Sequence, residues 1–281
     1  MKVLISADME GTCGVVNWVQ VIPPEIARPG QPASSVEYER ARLRMTREVN
    51  AAVEGAISGG ATEVIVNDSH DGMRNIIVDE LHPGARYISG FEKPLLMMQG
   101  IAEEGVTAVF FTGYHARAGT PDGPLAHSFT GWVHDVRMNG VSFGEYGVNA
   151  LTAGHFSVPV ALVTGDETAV QQMRELLGNQ VVGVAVKRGF SVTAAINYHP
   201  AEAERMIRAG AEQAIARASD LEPYVMPTGA IFEIDLDHQA RADQAECMPG
   251  VERSGWRTVR FTPSDGVELQ SYIKGIIGLA G

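Results

Sequence analysis

Two cysteines in 281 residues, Cys13 and Cys247, are too few for a disulfide framework or a four-thiolate zinc site. Basic residues are scarce too: 22 Lys and Arg stand against 34 Asp and Glu, a formal charge of −12. That sign argues against nucleic acid and against anionic membrane surfaces as partners. No apolar run approaches the roughly 20 residues that a membrane-spanning helix needs. The first such run is short and ends at Asp8, with no cleavage pattern behind it, so a cytoplasmic protein is expected. Repeats and low-complexity tracts are missing as well. What remains is 45% hydrophobic and 20% charged, enough to bury a substantial core in one large domain or two modest ones.

Apolar runs alternate with helical patterns along most of the chain. Strands are expected at Val3–Ala7, Glu63–Asn67, Val106–Thr112, Pro159–Thr164 and Val181–Val186. Between the first two, Met45, Val49, Ala52, Val53, Ala56 and Ile57 fall at three- and four-residue spacing. That spacing predicts a helix over 36–58, with a capping box at Ser34–Glu37 before it and Gly59-Gly60 ending it. Further helices are expected at Pro94–Glu103, Tyr146–Ala153, Thr168–Leu177, Ala201–Ala218 and Ser264–Leu279. The alternation implies an α/β fold, a mainly parallel sheet with flanking helices. Asn139-Gly140 predicts a hairpin between Val133–Met138 and Val141–Phe143. Beyond residue 190 the order becomes helix, strand (Gly229–Leu236), strand (Thr258–Phe261), helix, a smaller C-terminal α+β portion. The expected division is a catalytic α/β domain over 1–188 and a C-terminal α+β domain over 189–281.

Asp8 and Glu10 stand two residues apart where the first strand runs out. Residues two apart on an extended chain point to the same side. Two carboxylates aimed at one spot repel each other, and a divalent cation would pull them together; zinc would add nitrogen ligands. Ligands in an open α/β sheet gather beyond the carboxyl ends of strands. His70 follows the second strand there, His115 follows the third, and His127 lies past a Gly/Pro loop. Glu145 opens the helix after the hairpin. Singly, each has a plain structural role: a turn cap for Asp8 and Glu10, a hydrogen-bonded histidine, a first-turn acid favoured by the helix dipole at Glu145. Asp68 suits either a turn or the support of His70, and Cys13 suits a small buried thiol. The force of a metal site lies in convergence at one sheet edge.

The strings "SADMEGTCG", "VNDSHDGMRN", "ISGFEKP", "FTGYHARAG", "AHSF" and "GEYGVNA" occur here in order. Together they resemble the zinc-dependent D-aminopeptidases that self-assemble into hollow particles. The resemblance runs from residue 1 to about residue 185 and continues more weakly to the end. It implies two zinc ions per chain held by Asp8, Glu10, His70, His115 and Glu145, with Asp8 bridging them. It places the catalytic histidine at His127, described in the family as a nucleophile. It also implies a homo-oligomer, a decamer of two stacked five-membered rings, acting on small peptides with a free N-terminus and a preferred D-residue such as D-alanine. The proline-rich stretch between Val15 and Val36, and the segment holding Asp122-Gly123-Pro124, are longer than the family pattern, which bears on substrate shape.

The residues themselves support metal-assisted amide hydrolysis, with His127 as proton shuttle, oxyanion donor or nucleophile. Its near-neutral pKa suits proton transfer, and a metal-activated water makes a covalent imidazole intermediate unnecessary, which favours the first two. The same donor set would serve a hydrolase of another amide or a phosphoester, and also a non-catalytic metal-binding assembly protein.

Overall fold

A computed structural model describes all residues, Met1–Gly281. In chain order the first half comprises β1 (Lys2–Ala7), α1 (Ser35–Ser58), β2 (Glu63–Asp68), β3 (Ala85–Ile88), β4 (Val106–Tyr114), β5 (Val133–Met138) and β6 (Val141–Phe143). There follow α2 (Glu145–His155), β7 (Val160–Asp166), α3 (Glu167–Leu177), β8 (Val182–Ser191), β9 (Ala194–Asn197) and α4 (Pro200–Arg217). The chain closes with β10 (Phe232–Leu236), α5 (Gln239–Ala245), β11 (Glu252–Arg253), β12 (Thr258–Phe261) and α6 (Gly266–Ala280).

Seven strands form the main sheet in the order β3-β2-β1-β4-β7-β8-β9. Every neighbouring pair is parallel except β8 and β9. From β1 the chain steps outward through β2 to β3, then returns to lay β4 on the other side of β1. That reversal opens a crevice beyond the carboxyl ends of β1 and β4, where ligands bind in such sheets. Alternate residues of the central strands enter two separate cores. Val3, Ile5 and Ala7 pack with Met45, Val49 and Val53 of α1 and Ile207 and Ala211 of α4. Leu4, Ile65, Val109 and Phe111 face the other way, into a core shared with Val148 and Leu151 of α2, Ile273 of α6 and Phe232 of β10.

A second, antiparallel sheet runs β11-β12-β10-β5-β6. Its hairpin turn sets Asn139 at φ 51° and Gly140 at φ 82°, the two left-handed positions that an Asn-Gly turn supplies. The α/β expectation therefore holds, but the sheets do not follow a division after residue 188. β5 and β6, from before that point, complete the C-terminal sheet, while β9 and α4, from after it, belong to the first layer.

One expected helix is a single 3-10 turn, Leu96–Met98, in place of Pro94–Glu103. Leu96 sits at φ 46°, which no α-helix tolerates. The carbonyls that would propagate the helix are taken by side chains: Asn67 Nδ2 donates to Leu96 O (3.2 Å) and Met97 O (2.8 Å), and Ser6 Oγ donates to Met97 O (2.8 Å). Ser34 caps α1 through Glu37 N–H at 3.4 Å, whereas the Glu37 carboxylate lies 3.4 Å from Gln20 Nε2 and does not close the reciprocal half of the box. No helix is long and apolar enough to cross a membrane.

Candidate metal centre

The loop after β1 lies hard against the end of β4. Asp8 N–H donates to Thr112 O at 2.8 Å and Gly11 N–H to Gly113 O at 2.7 Å. A Cβ on Gly11 would meet Tyr114 O at 2.0 Å, and one on Gly113, at φ 68°, would meet Asp8 O at 2.2 Å. Glycine at both places is what lets the acids of one strand end and the histidine of the other approach.

Six side chains meet there in two triads, Asp8/Glu10/His70 and His115/His127/Glu145, each with ligand atoms within 4.8 Å of one another. His70 Nδ1 stands 3.3 Å from Asp8 Oδ1 and 2.9 Å from Glu10 Oε2. His115 Nε2 stands 3.5 Å from Asp8 Oδ2 and 3.3 Å from Glu145 Oε1. The two Asp8 oxygens thus face different triads. His127 Nε2 lies farther off, 3.9 Å from Glu10 Oε1 and 3.7 Å from Glu145 Oε1, with its ring stacked on His115 at 4.0 Å. Its side chain is 14% exposed, against 7% or less for the other five.

The outer nitrogen of each imidazole is tied to the main chain. His70 Nε2 meets Val21 O at 2.7 Å, His115 Nδ1 meets Ala116 O at 3.0 Å, and His127 Nδ1 meets Leu125 O at 2.9 Å. A carbonyl only accepts, so each of these nitrogens donates, and the inner nitrogen of a neutral ring presents a lone pair to the carboxylates. Lone pair facing lone pair at 2.9 Å is repulsive; a proton or a cation must sit between. Asp8 Oδ2 and Glu10 Oε2 are buried without a well-aligned donor. Buried acceptors of this kind, with imidazoles oriented from behind, are the donor set of a metal centre, and the residues present fit zinc.

Left to themselves, the groups share protons unevenly. Burial and the adjacent Glu10 push the Asp8 carboxyl up to about 7. Burial opposes charge on Glu10, yet His70 beside it outweighs burial and holds Glu10 well below the ordinary carboxylate range. Burial likewise opposes charge on His115, but Glu145 and Asp8 raise it to about 10. His127 goes the other way, lowered by burial and by His115 against its ring.

All six residues singled out in the sequence therefore converge. Asp68 stays outside the triads: its carboxylate accepts Asn75 N–H (2.5 Å), Ile76 N–H (2.7 Å) and Asn75 Nδ2 (2.8 Å), shaping the loop that carries His70. Cys13 is buried, its thiol pushed up to about 11 by burial and Glu48 and donating to Tyr198 O. His199 and His238 cap α4 and α5. Sequence reasoning missed Val21 O and Trp18, whose ring stands edge-on to His127 at 5.4 Å. Both come from the proline-rich stretch. A main-chain acceptor carries no residue signal, and the Asn17-capped turn Trp18–Gln20 was the only local cue.

Fold and site together define an α/β protein built around a buried carboxylate–imidazole cluster whose donors fit a metal ion. The D-aminopeptidase family matches residues 1–274. A D-aminopeptidase of Bacillus subtilis (strain 168) is 37% identical over 269 residues, covering 95% of this chain and 93% of the relative. The solved structure of the Zn-dependent D-aminopeptidase DppA from Bacillus subtilis, described as a self-compartmentalizing protease, superposes with a TM-score of 0.91. It is 36% identical, with 100% of this chain and 98% of that one covered. The chain belongs to the D-aminopeptidase family and is an aminopeptidase, a hydrolase of peptide bonds.

Proposed function

We propose that the chain binds two zinc ions and removes N-terminal residues, D-alanine among them, from short peptides with a free amine. The observation that carries this reading is the pair of buried triads with Asp8 between them and the outer nitrogen of each imidazole held by a carbonyl. Asp8, Glu10 and His70 would hold one ion, and Asp8, His115 and Glu145 the other. A metal held there would supply Lewis-acid polarisation of the scissile carbonyl and would lower the pKa of water. His127 does the remaining proton work: Leu125 O fixes the ring so that Nε2 faces the triads, where an imidazole can take and return a proton. The same atom is close enough to complete the His115/Glu145 triad as a ligand, so metal content in a His127 variant separates the two roles.

Assembly into a closed particle, a decamer of two five-membered rings, is part of the same reading, supported by the self-compartmentalizing relative. Closed symmetry is the usual way in which identical subunits enclose space. Light scattering should give a mass near ten times 30.1 kDa.

The decisive test is a screen of zinc-reconstituted protein on D- and L-aminoacyl p-nitroanilides, their N-acetylated forms and p-nitrophenyl phosphate. The free D-aminoacyl substrates should turn over fastest. Equal rates on acetylated and free compounds would refute the aminopeptidase role, and faster phosphate release would assign a phosphoesterase.

A further inference from the structure

One buried cation beside the centre belongs to neither triad. Lys187, on β8, is 1% exposed and lies three strands away from β1 in the main sheet. Its ammonium donates to Glu10 O (2.5 Å), Thr12 O (3.0 Å) and Val15 O (2.5 Å). A lysine ammonium has three donors, and here all three end on one turn of chain, the segment that starts at a proposed metal ligand. Burying a charge is costly unless every donor is satisfied, and a methionine would fill the same volume without that cost. The three convergent bonds therefore point to a task that packing alone does not explain.

The turn is gripped on its other sides as well. Glu48 of α1 accepts Cys13 N–H at 2.8 Å, Asn197 Oδ1 accepts Gly14 N–H at 2.8 Å, and Arg44 donates to Gly14 O at 3.0 Å. These contacts hold the middle of the turn. Among the side chains, only Lys187 takes hold of the Glu10 carbonyl itself, and so fixes where the Glu10 side chain leaves the backbone.

We infer that Lys187 is a positioning residue for the Asp8/Glu10/His70 half of the centre, setting the Glu10 carboxylate through three main-chain carbonyls without touching metal or substrate. The inference rests on the reading that this triad binds a metal ion. It distinguishes the two halves, because no bond from Lys187 reaches His115, His127 or Glu145.

The test is Co²⁺ titration of the full-length protein, read by visible absorption, with each half isolated. In a His115→Ala background the Asp8/Glu10/His70 half is the stronger remaining site; in a His70→Ala background the other half is. Adding Lys187→Met should weaken Co²⁺ binding about 10- to 100-fold in the first background, the usual scale for losing a group that orients a ligand. In the second background binding should change by less than about threefold. Lys187→Arg keeps the charge, but its planar fork cannot converge on three carbonyls from one nitrogen, so it should fall between. It also decides the matter if the methionine variant fails to fold. Equal weakening in both backgrounds would reduce Lys187 to a general stabiliser, and no weakening in the first would overturn the inference. If the His115→Ala protein binds no Co²⁺ even with Lys187 in place, the metal reading of that half fails, and the inference falls with it.

Discussion

The two halves of the centre use the same chemistry on different supports. Asp8, Glu10 and His70 stand on or just past β1 and β2, and their surroundings are braced from several sides. Asp68 binds the loop behind His70, Tyr38 of α1 donates to Asn75 in that loop at 2.6 Å, and Lys93 Nζ donates to Asn67 Oδ1 at 2.7 Å. His115, His127 and Glu145 come instead from a strand end, a Gly/Pro loop and a helix N-terminus, with Phe129 N–H donating to Glu145 Oε1 at 2.6 Å as the main tie between loop and helix. The first half is held as a fixture. The second carries the more exposed imidazole, His127, to which the proposed reading gives the contact with substrate. A hydrolytic centre needs both, one part that does not move and one that a substrate can reach.

Asp8→Ala strikes the element common to both halves and should have the largest effect. Metal content measured by atomic spectroscopy should fall from two ions per chain toward none, and turnover to background. Full occupancy in that variant would remove Asp8 from the bridging position. His127→Ala strikes only the exposed half. It should keep its metal and its thermal transition yet lose about 10²- to 10⁴-fold in kcat, the range for general acid–base assistance. Loss of one ion instead would make His127 a ligand, and the two halves would then be alike.

The smallest effect sharpens the comparison from the braced side. Burial pushes the Glu48 carboxyl up to about 7 from an ordinary 4.5. The folded chain then holds this proton more tightly than the unfolded chain does. The stability that it confers is complete below about pH 4.5 and is lost as pH rises through about 7. The gap between the two values corresponds to about 3 kcal/mol at most. Urea unfolding of the wild type should show this decline between pH 5 and pH 8, and Glu48→Gln should flatten it. An unchanged slope in the variant would show that Glu48 ionises freely.

Much of this was legible in the residues. β1, β2, β4, β7 and β8 lie where apolar runs predicted strands, because buried parallel strands read as continuous hydrophobic segments. Asp8, Glu10, His70 and His115 could be grouped because strand ends in such a sheet share an edge. His127 comes instead from a loop and Glu145 from the helix after β6 of the second sheet, a placement that one shared edge did not foretell. Several things escaped, among them α5 and the two-residue β11. The strands β3 and β9 are only four residues long and have no buried residue, so no apolar run marks them off from the surrounding turns. The run at Leu95–Met98 looks helical by composition, and only the capture of its carbonyls by Ser6 and Asn67, distant in sequence, makes it otherwise. The pairing of β5 with β10 joins positions nearly a hundred residues apart, which no local pattern could announce.

Each imidazole of the centre is aimed by a peptide carbonyl, that of Val21, Ala116 or Leu125. A peptide carbonyl is the same whatever side chain its residue bears. The aim of these rings is thus written in the path of the chain and not in the identity of its neighbours. Beyond Val21 the stretch to Val36 can exchange side chains and lengthen without disturbing His70. Asn17 and Gln20, whose side chains accept from Val19 N–H and from Val16 and Asn17 N–H, hold the backbone that brings Val21 to the ring. Trp18 of the same segment stands edge-on to His127, so on the proposed reading a change there would alter what meets that ring while the aim of His70 stays the same.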